Sequence, residues 1–174
     1  DSSSPSYALK TAGSTGVTAM ALKFHASNEA QTLTKIGLTL VNSVGGAKSA
    51  GAAGNSGTNG GASDVVNAYI YNGTTLVGTA SFTGTGTTAT STLTTPVTLA
   101  KDADTILTVK VDLSTIGVSA AGGIGDIVVV DPLNFEATGN SSGTTVTGPT
   151  ATNTVTAGHQ ASQRRSARAS RSPI

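Results

Sequence analysis

Residues 64–82, DVVNAYIYNGTTLVGTASF, constrain the fold more than any other stretch of the chain. Apolar and polar residues alternate on both sides of Asn72-Gly73. Period-two alternation belongs to a half-buried strand, and an Asn-Gly pair between two such runs is the strongest short-range signal for a β-hairpin. Asn72 and Gly73 would supply the two positive-φ positions of a type I′ turn. The alternation sends Val66, Ala68 and Ile70 inward and Asn67, Tyr69 and Tyr71 outward. After the turn it sends Leu76, Gly78, Ala80 and Phe82 inward.

The same period recurs along the chain. VTAMALKFHAS (17–27) puts Met20, Leu22, Phe24 and Ala26 on one face, with Lys23 and His25 on the other. LTKIGLTLVNS (33–43) sends Ile36, Leu38 and Leu40 inward, and TILTVKVDLSTIG (105–117) does so with Leu107, Val109, Val111 and Leu113. A Thr-rich strand is expected at Ala89–Thr94, with a second short one after it, and Pro96 marks an edge or a strand start. In GDIVVVDPLNFEATG (125–139) an apolar run at 127–130 precedes Leu133, Phe135 and Ala137.

Composition agrees. Threonine (30), glycine (22) and serine (20) make up 72 of 174 residues, against two glutamates and one methionine. Threonine suits a half-buried strand surface, and glycine and serine suit turns. The expectation is one all-β domain, a sandwich of about eight or nine strands (17–139). An N-terminal arm (1–16) precedes it, with a short strand at Ser6–Thr11. A Ser/Thr/Gly-rich and Arg-rich C-terminal arm (140–174) follows. The Gly/Ala/Ser stretch at 43–63 is too long for an ordinary connection and reads as a functional or disordered loop.

The chain has no cysteine, so no thiolate can serve as nucleophile or metal ligand. No apolar run reaches transmembrane length, and the expected setting is extracellular, after removal of a secretory signal. The net charge of +1 hides an asymmetry. All four arginines, Arg164, Arg165, Arg168 and Arg171, lie at the C-terminal end. Before residue 160, six lysines face nine acids, so the body carries −3. The tail lacks the aromatics that stack on bases, which makes nucleic acid a poor partner and an acidic neighbour a better one.

No arrangement of residues calls for catalysis. His25 sits beside Lys23 on an outward face and His159 lies in the tail, so neither has the setting of a general base. VGGAKS lacks a glycine that a phosphate-binding loop requires. Glu29 and Glu136 are the only glutamates, with no tryptophan to hold a sugar between them. No cofactor is expected. Asp102, Asp104, Asp126 and Asp131 are the weak candidates for calcium, without the spacing of a known loop. Asn72-Gly-Thr and Asn140-Ser-Ser are sequons, candidates for glycosylation.

YIYNGTTLVGTA and LTVKVDLSTIG, set in the order of strands above, resemble the Ig-like β-sandwich domains of bacterial cell-surface proteins, those of surface layers and appendages. The resemblance covers residues 17–139 and implies an extracellular structural role. From it and the two arms comes the functional expectation: a secreted subunit that assembles with copies of itself into a filament or layer. Either arm could add a strand to a neighbour's open sheet edge. SPSYALKTAG, with Tyr7 and Leu9, is the first donor candidate and TTVTGPTATNTVTA (144–157) the second. Two alternatives stand beside it. One is an adhesin module that binds glycan or protein through the 43–63 loop, Tyr69 and Tyr71. The other is a viral or phage coat or tail component.

Overall fold

A computed structural model describes residues 1–6, 8–40, 63–83, 87–117 and 128–148. Among these the chain is all-β, with no helix and eight strands. They are β1 (Val17–His25), β2 (Gln31–Leu40), β3 (Val65–Asn72), β4 (Thr75–Ala80), β5 (Thr88–Leu99), β6 (Asp104–Leu113), β7 (Val130–Gly139) and β8 (Thr145–Gly148). Two four-stranded antiparallel sheets form, ordered β1-β6-β3-β4 and β5-β2-β7-β8. The inward residues of both sheets join in one core that includes Leu22, Leu33, Ile36, Leu38, Ile70, Val77, Leu93, Leu107 and Val109. This is a sandwich.

Period two explains most of the packing. Leu107, Val109 and Val111 are buried on β6, as are Met20, Leu22 and Ala26 on and after β1. Phe24 is half-buried and meets Phe135 of β7 edge-on, ring centroids 5.6 Å apart.

Bulges account for the exceptions. The β3–β6 register shifts between Val65 and Asn67, so Val65 takes the inward place and Val66 stands 53% exposed, against the expected face. The β3–β4 register shifts opposite Ile70/Tyr71, so Val77 and Gly78 are both buried and Leu76 points outward. A bulge puts two residues of one strand against one of its partner and reverses the alternation beyond it. The hairpin turn also differs from expectation. Asn72 pairs with Thr75, so the central residues are Gly73 and Thr74. Gly73 has φ +60°, while Asn72 and Thr74 do not reach positive φ. Positive φ at the first central position alone is the type II′ pattern, not type I′.

Pro96 does not divide two strands. β5 runs unbroken through it, and the β2–β5 register shifts so that residues 93–96 bow out opposite Thr34. Because β5 is an edge strand, the missing proline N–H breaks no ladder. Residues 8–11 form no strand. The second sheet continues past residue 139: β8 pairs with Phe135–Thr138 of β7.

The tight connections share one end of the sandwich. The β1–β2 and β5–β6 crossings are tied there, with Asp102 N–H donating to the Ala26 carbonyl (2.6 Å) and Ala26 bridging Lys101. Asp102 takes φ +56°, the left-handed conformation that aspartate tolerates better than most residues. The β7–β8 turn reaches the same corner, where Asn140 N–H donates to the Ala30 carbonyl (2.9 Å).

Candidate functional site

The ionisable side chains of the sandwich mostly fasten strands and turns. Cross-strand register sets Lys23 opposite Ile106 and His25 opposite Asp104 on the outer face of the first sheet. The Asp104 carboxylate receives Lys23 Nζ at 3.1 Å and meets His25 Nδ1 at 2.7 Å. His25, then Lys23, hold the Asp104 carboxyl below its ordinary pKa. All three are about half exposed, where such pairs contribute little to stability.

A second network lies further along that face. Ser81 Oγ donates to Asn67 Oδ1 (2.7 Å), Tyr69 Oη donates to Asp112 Oδ2 (3.1 Å), and Gly16 N–H donates to Asp112 Oδ1 (2.7 Å). Tyr69 is thus held within the face. Tyr71 carries Lys110 Nζ 5.0 Å from its ring centroid and lies opposite exposed Leu76. Ile106, opposite Lys23, is also exposed on this sheet.

Glu29, in the β1–β2 crossing, clamps the β7–β8 turn. Its carboxylate accepts from Ser141 N–H (2.7 Å), Ser142 N–H (3.0 Å) and Ser142 Oγ (2.5 Å). The Ser142 hydroxyl, followed by the two backbone amides, lowers the Glu29 pKa. Glu136 meets Lys35 Nζ at 3.0 Å on the outer face of the second sheet. The two glutamates therefore hold different elements.

Of the calcium candidates, Asp102 is exposed in its turn, Asp104 is engaged by Lys23 and His25, and Asp131 is buried on β7. Among the described residues no three His, Cys, Asp or Glu side chains converge as a metal site. Asp126, Tyr7, His159, residues 43–62, and Arg164, Arg165, Arg168 and Arg171 lie outside the described residues. Asn72 is exposed at the hairpin tip. Asn140, also exposed, accepts from Thr32 Oγ1 (2.8 Å) through its side-chain carbonyl.

The two arms are partly accounted for. The N-terminal segment lies against the body at both ends: Ser4 Oγ bonds the Ala21 amide (3.0 Å) and carbonyl (3.2 Å), and Gly13 N–H donates to the Ser114 carbonyl (3.0 Å). Between these anchors Leu9 is 88% exposed. The first residues of the second donor candidate are β8 itself, paired within the chain.

The sheet edges differ. On one side β4 and β5 lie against each other and close the sandwich, with Thr94 Oγ1 donating to the Val77 carbonyl (3.1 Å). On the other, β1 and β8 stand apart. This open side carries Phe24, Phe135 and Val146, none of them fully buried. Among the described residues no strand pairs with the outer side of β8. Alternation finds strands but not their order in a sheet, so no sequence signal marked this side. No family model, no curated protein and no solved structure matches the chain.

Proposed function

We propose that this chain is a secreted structural subunit, built on an Ig-like sandwich, that assembles with copies of itself into an extracellular filament or surface layer. The observation that carries the reading is the open side of the sandwich, where β8 offers an uncharged edge of Thr and Val that, among the described residues, no strand pairs. Unpaired strand edges are templates for another strand, and main-chain hydrogen bonds then supply the affinity. The engagement of Asp104, Asp112, Glu29 and Glu136 with neighbouring strands and turns fits a scaffold role. Negative-stain imaging of the purified chain, with light scattering across concentration, tests it. Filaments or sheets support the reading, and a monomer at every concentration refutes it.

A second reading, an adhesin module, draws on Tyr71, with Lys110 over its ring and exposed Leu76 opposite it. A glycan array showing binding that Tyr71→Ala abolishes would favour it.

A further inference from the structure

The four sheet edges are treated unequally. β4 and β5 cover each other. On β1, the main-chain groups of Ala21 that face away from β6 are taken by Ser4 Oγ, at 3.0 and 3.2 Å. Lys23, which shares the parity of Ala21, comes next along that edge, and a charge there discourages another strand. β8, reading Thr-Val-Thr-Gly, has no charge, no proline and no bulge against β7.

Hydrogen-bond parity shows what β8 offers. Gly139 turns both its main-chain groups toward β8: its N–H donates to the Thr144 carbonyl (2.9 Å) and its carbonyl accepts from Gly143 N–H (2.9 Å). Along β7 this parity passes to Ala137, whose partner is Val146. In an antiparallel ladder the bonded pairs alternate, so Val146 spends its main-chain groups on β7. Thr145 and Thr147 direct theirs outward.

We infer that the β8 edge pairs with the β8 edge of a second copy, antiparallel about a twofold axis through Val146; this rests on the reading of the chain as a self-assembling subunit. β8 is complementary to itself. Set against its own copy, Thr145 faces Thr147 of the partner and Thr147 faces the partner's Thr145. Every outward N–H then meets an outward carbonyl, and four main-chain hydrogen bonds form. The β5-β2-β7-β8 sheet continues into the same sheet of the second copy, and the two β8 strands bring no charge to the contact. The Val146 side chains, 37% exposed at the rim of the open side, come together over the Phe135 edge. A contact four residues long is far smaller than a standard stable interface, so it serves copies already held close in an array.

The chain has no cysteine, which makes a crosslinking test direct. Val146 and its copy would form a non-hydrogen-bonded pair with Cα atoms about 4.5 Å apart, within the range a disulfide spans. Val146→Cys, incubated with oxidised glutathione, is expected to form a covalent dimer about ten times faster than Leu76→Cys, whose cysteine lies in the other sheet. Equal rates for the two variants overturn the inference. Thr147→Pro is a second probe. Its lost N–H faces outward, so the fold should be kept, by circular dichroism, while crosslinking in the Val146→Cys background falls to the Leu76→Cys rate. Crosslinking that persists overturns the inference. Filaments without rapid Val146→Cys crosslinking keep the subunit reading and remove β8 as its contact. Rapid crosslinking without filaments keeps the β8 pairing and removes the subunit reading.

Discussion

The two sides of the sandwich are built by opposite rules. On the β4–β5 side Gly78 lies so close to Ser91 and Leu93 that an added Cβ would sit 2.5 Å from Ser91 Oγ and 2.7 Å from Leu93 Cδ2. On the β1–β8 side Phe24, Phe135 and Val146 reach only partial burial or less, and β8 has four residues, three of them exposed. Close packing leaves no room for a partner, and an unfinished edge leaves room for one. The stability of the domain should therefore lie on the closed side and its contacts with other molecules on the open side.

The sharpest way to break this comparison is to weaken each side in turn. Leu93→Ala, deep on the closed side, is expected to cost about 2–5 kcal/mol in chemical denaturation. Val146→Ala at the rim should cost under about 1 kcal/mol, because little buried surface is lost. Similar losses for the two would mean that the open side is as much a part of the core as the closed one.

Gly78→Val tests how tightly the closed side is packed. Forcing a branched side chain against Ser91 and Leu93 should destabilise by about 1–3 kcal/mol. Ser91→Ala probes the same place with the opposite sign. Ser91 is 1% exposed and, among the described residues, its hydroxyl has no hydrogen-bond partner. Removing it should raise stability by about 1 kcal/mol, since a buried hydroxyl without a partner carries its desolvation cost uncompensated. A loss on Ser91→Ala would show that the hydroxyl has a partner in solution.

The smallest expected effect belongs to the open side. Glu29 has a folded-state pKa below its ordinary value because the carboxylate accepts three hydrogen bonds. Its contribution is fully present above the unfolded pKa of about 4.3 and is lost as pH falls through the lower folded value. Amide exchange at Ser141 and Ser142 should accelerate on acidification in that window, relative to the amides of β6. In Glu29→Gln it should be fast already at neutral pH, and the step on acidification should vanish. An unchanged acid step in that variant would mean that another group controls the turn.

Much of the fold was legible in the sequence, because alternation is a local property. The burial of Leu22, Ile36, Leu38, Leu107, Val109 and Val111 follows from period two alone. The misplaced residues all trace to bulges. Val66 and Leu76 are apolar and in phase with their neighbours, yet a single extra residue in the pairing turns each outward. Nothing in a single strand records where its partner slips. The hairpin shows the same limit: Asn-Gly announced a turn, but the Asn72–Thr75 pairing decided which two residues make it. The candidate site was less legible. The character of an edge depends on which strand lies outermost, and Thr-Val-Thr-Gly reads alike in the middle of a sheet or at its border. The clamp of Glu29 joins residues 113 positions apart, which no local pattern signals.

The pairing of β2 with β7 sets a timetable for the chain. Lys35 and Glu136 face each other although they stand 101 positions apart in the chain. A polypeptide emerging N-terminus first thus presents Leu33, Ile36, Leu38 and Leu40 long before β7 exists to cover one flank of that strand. Apolar, β-prone runs waiting for a distant partner are where chains mispair. Until β7 is made, β2 has only β5 beside it, and one flank of a core strand stays open.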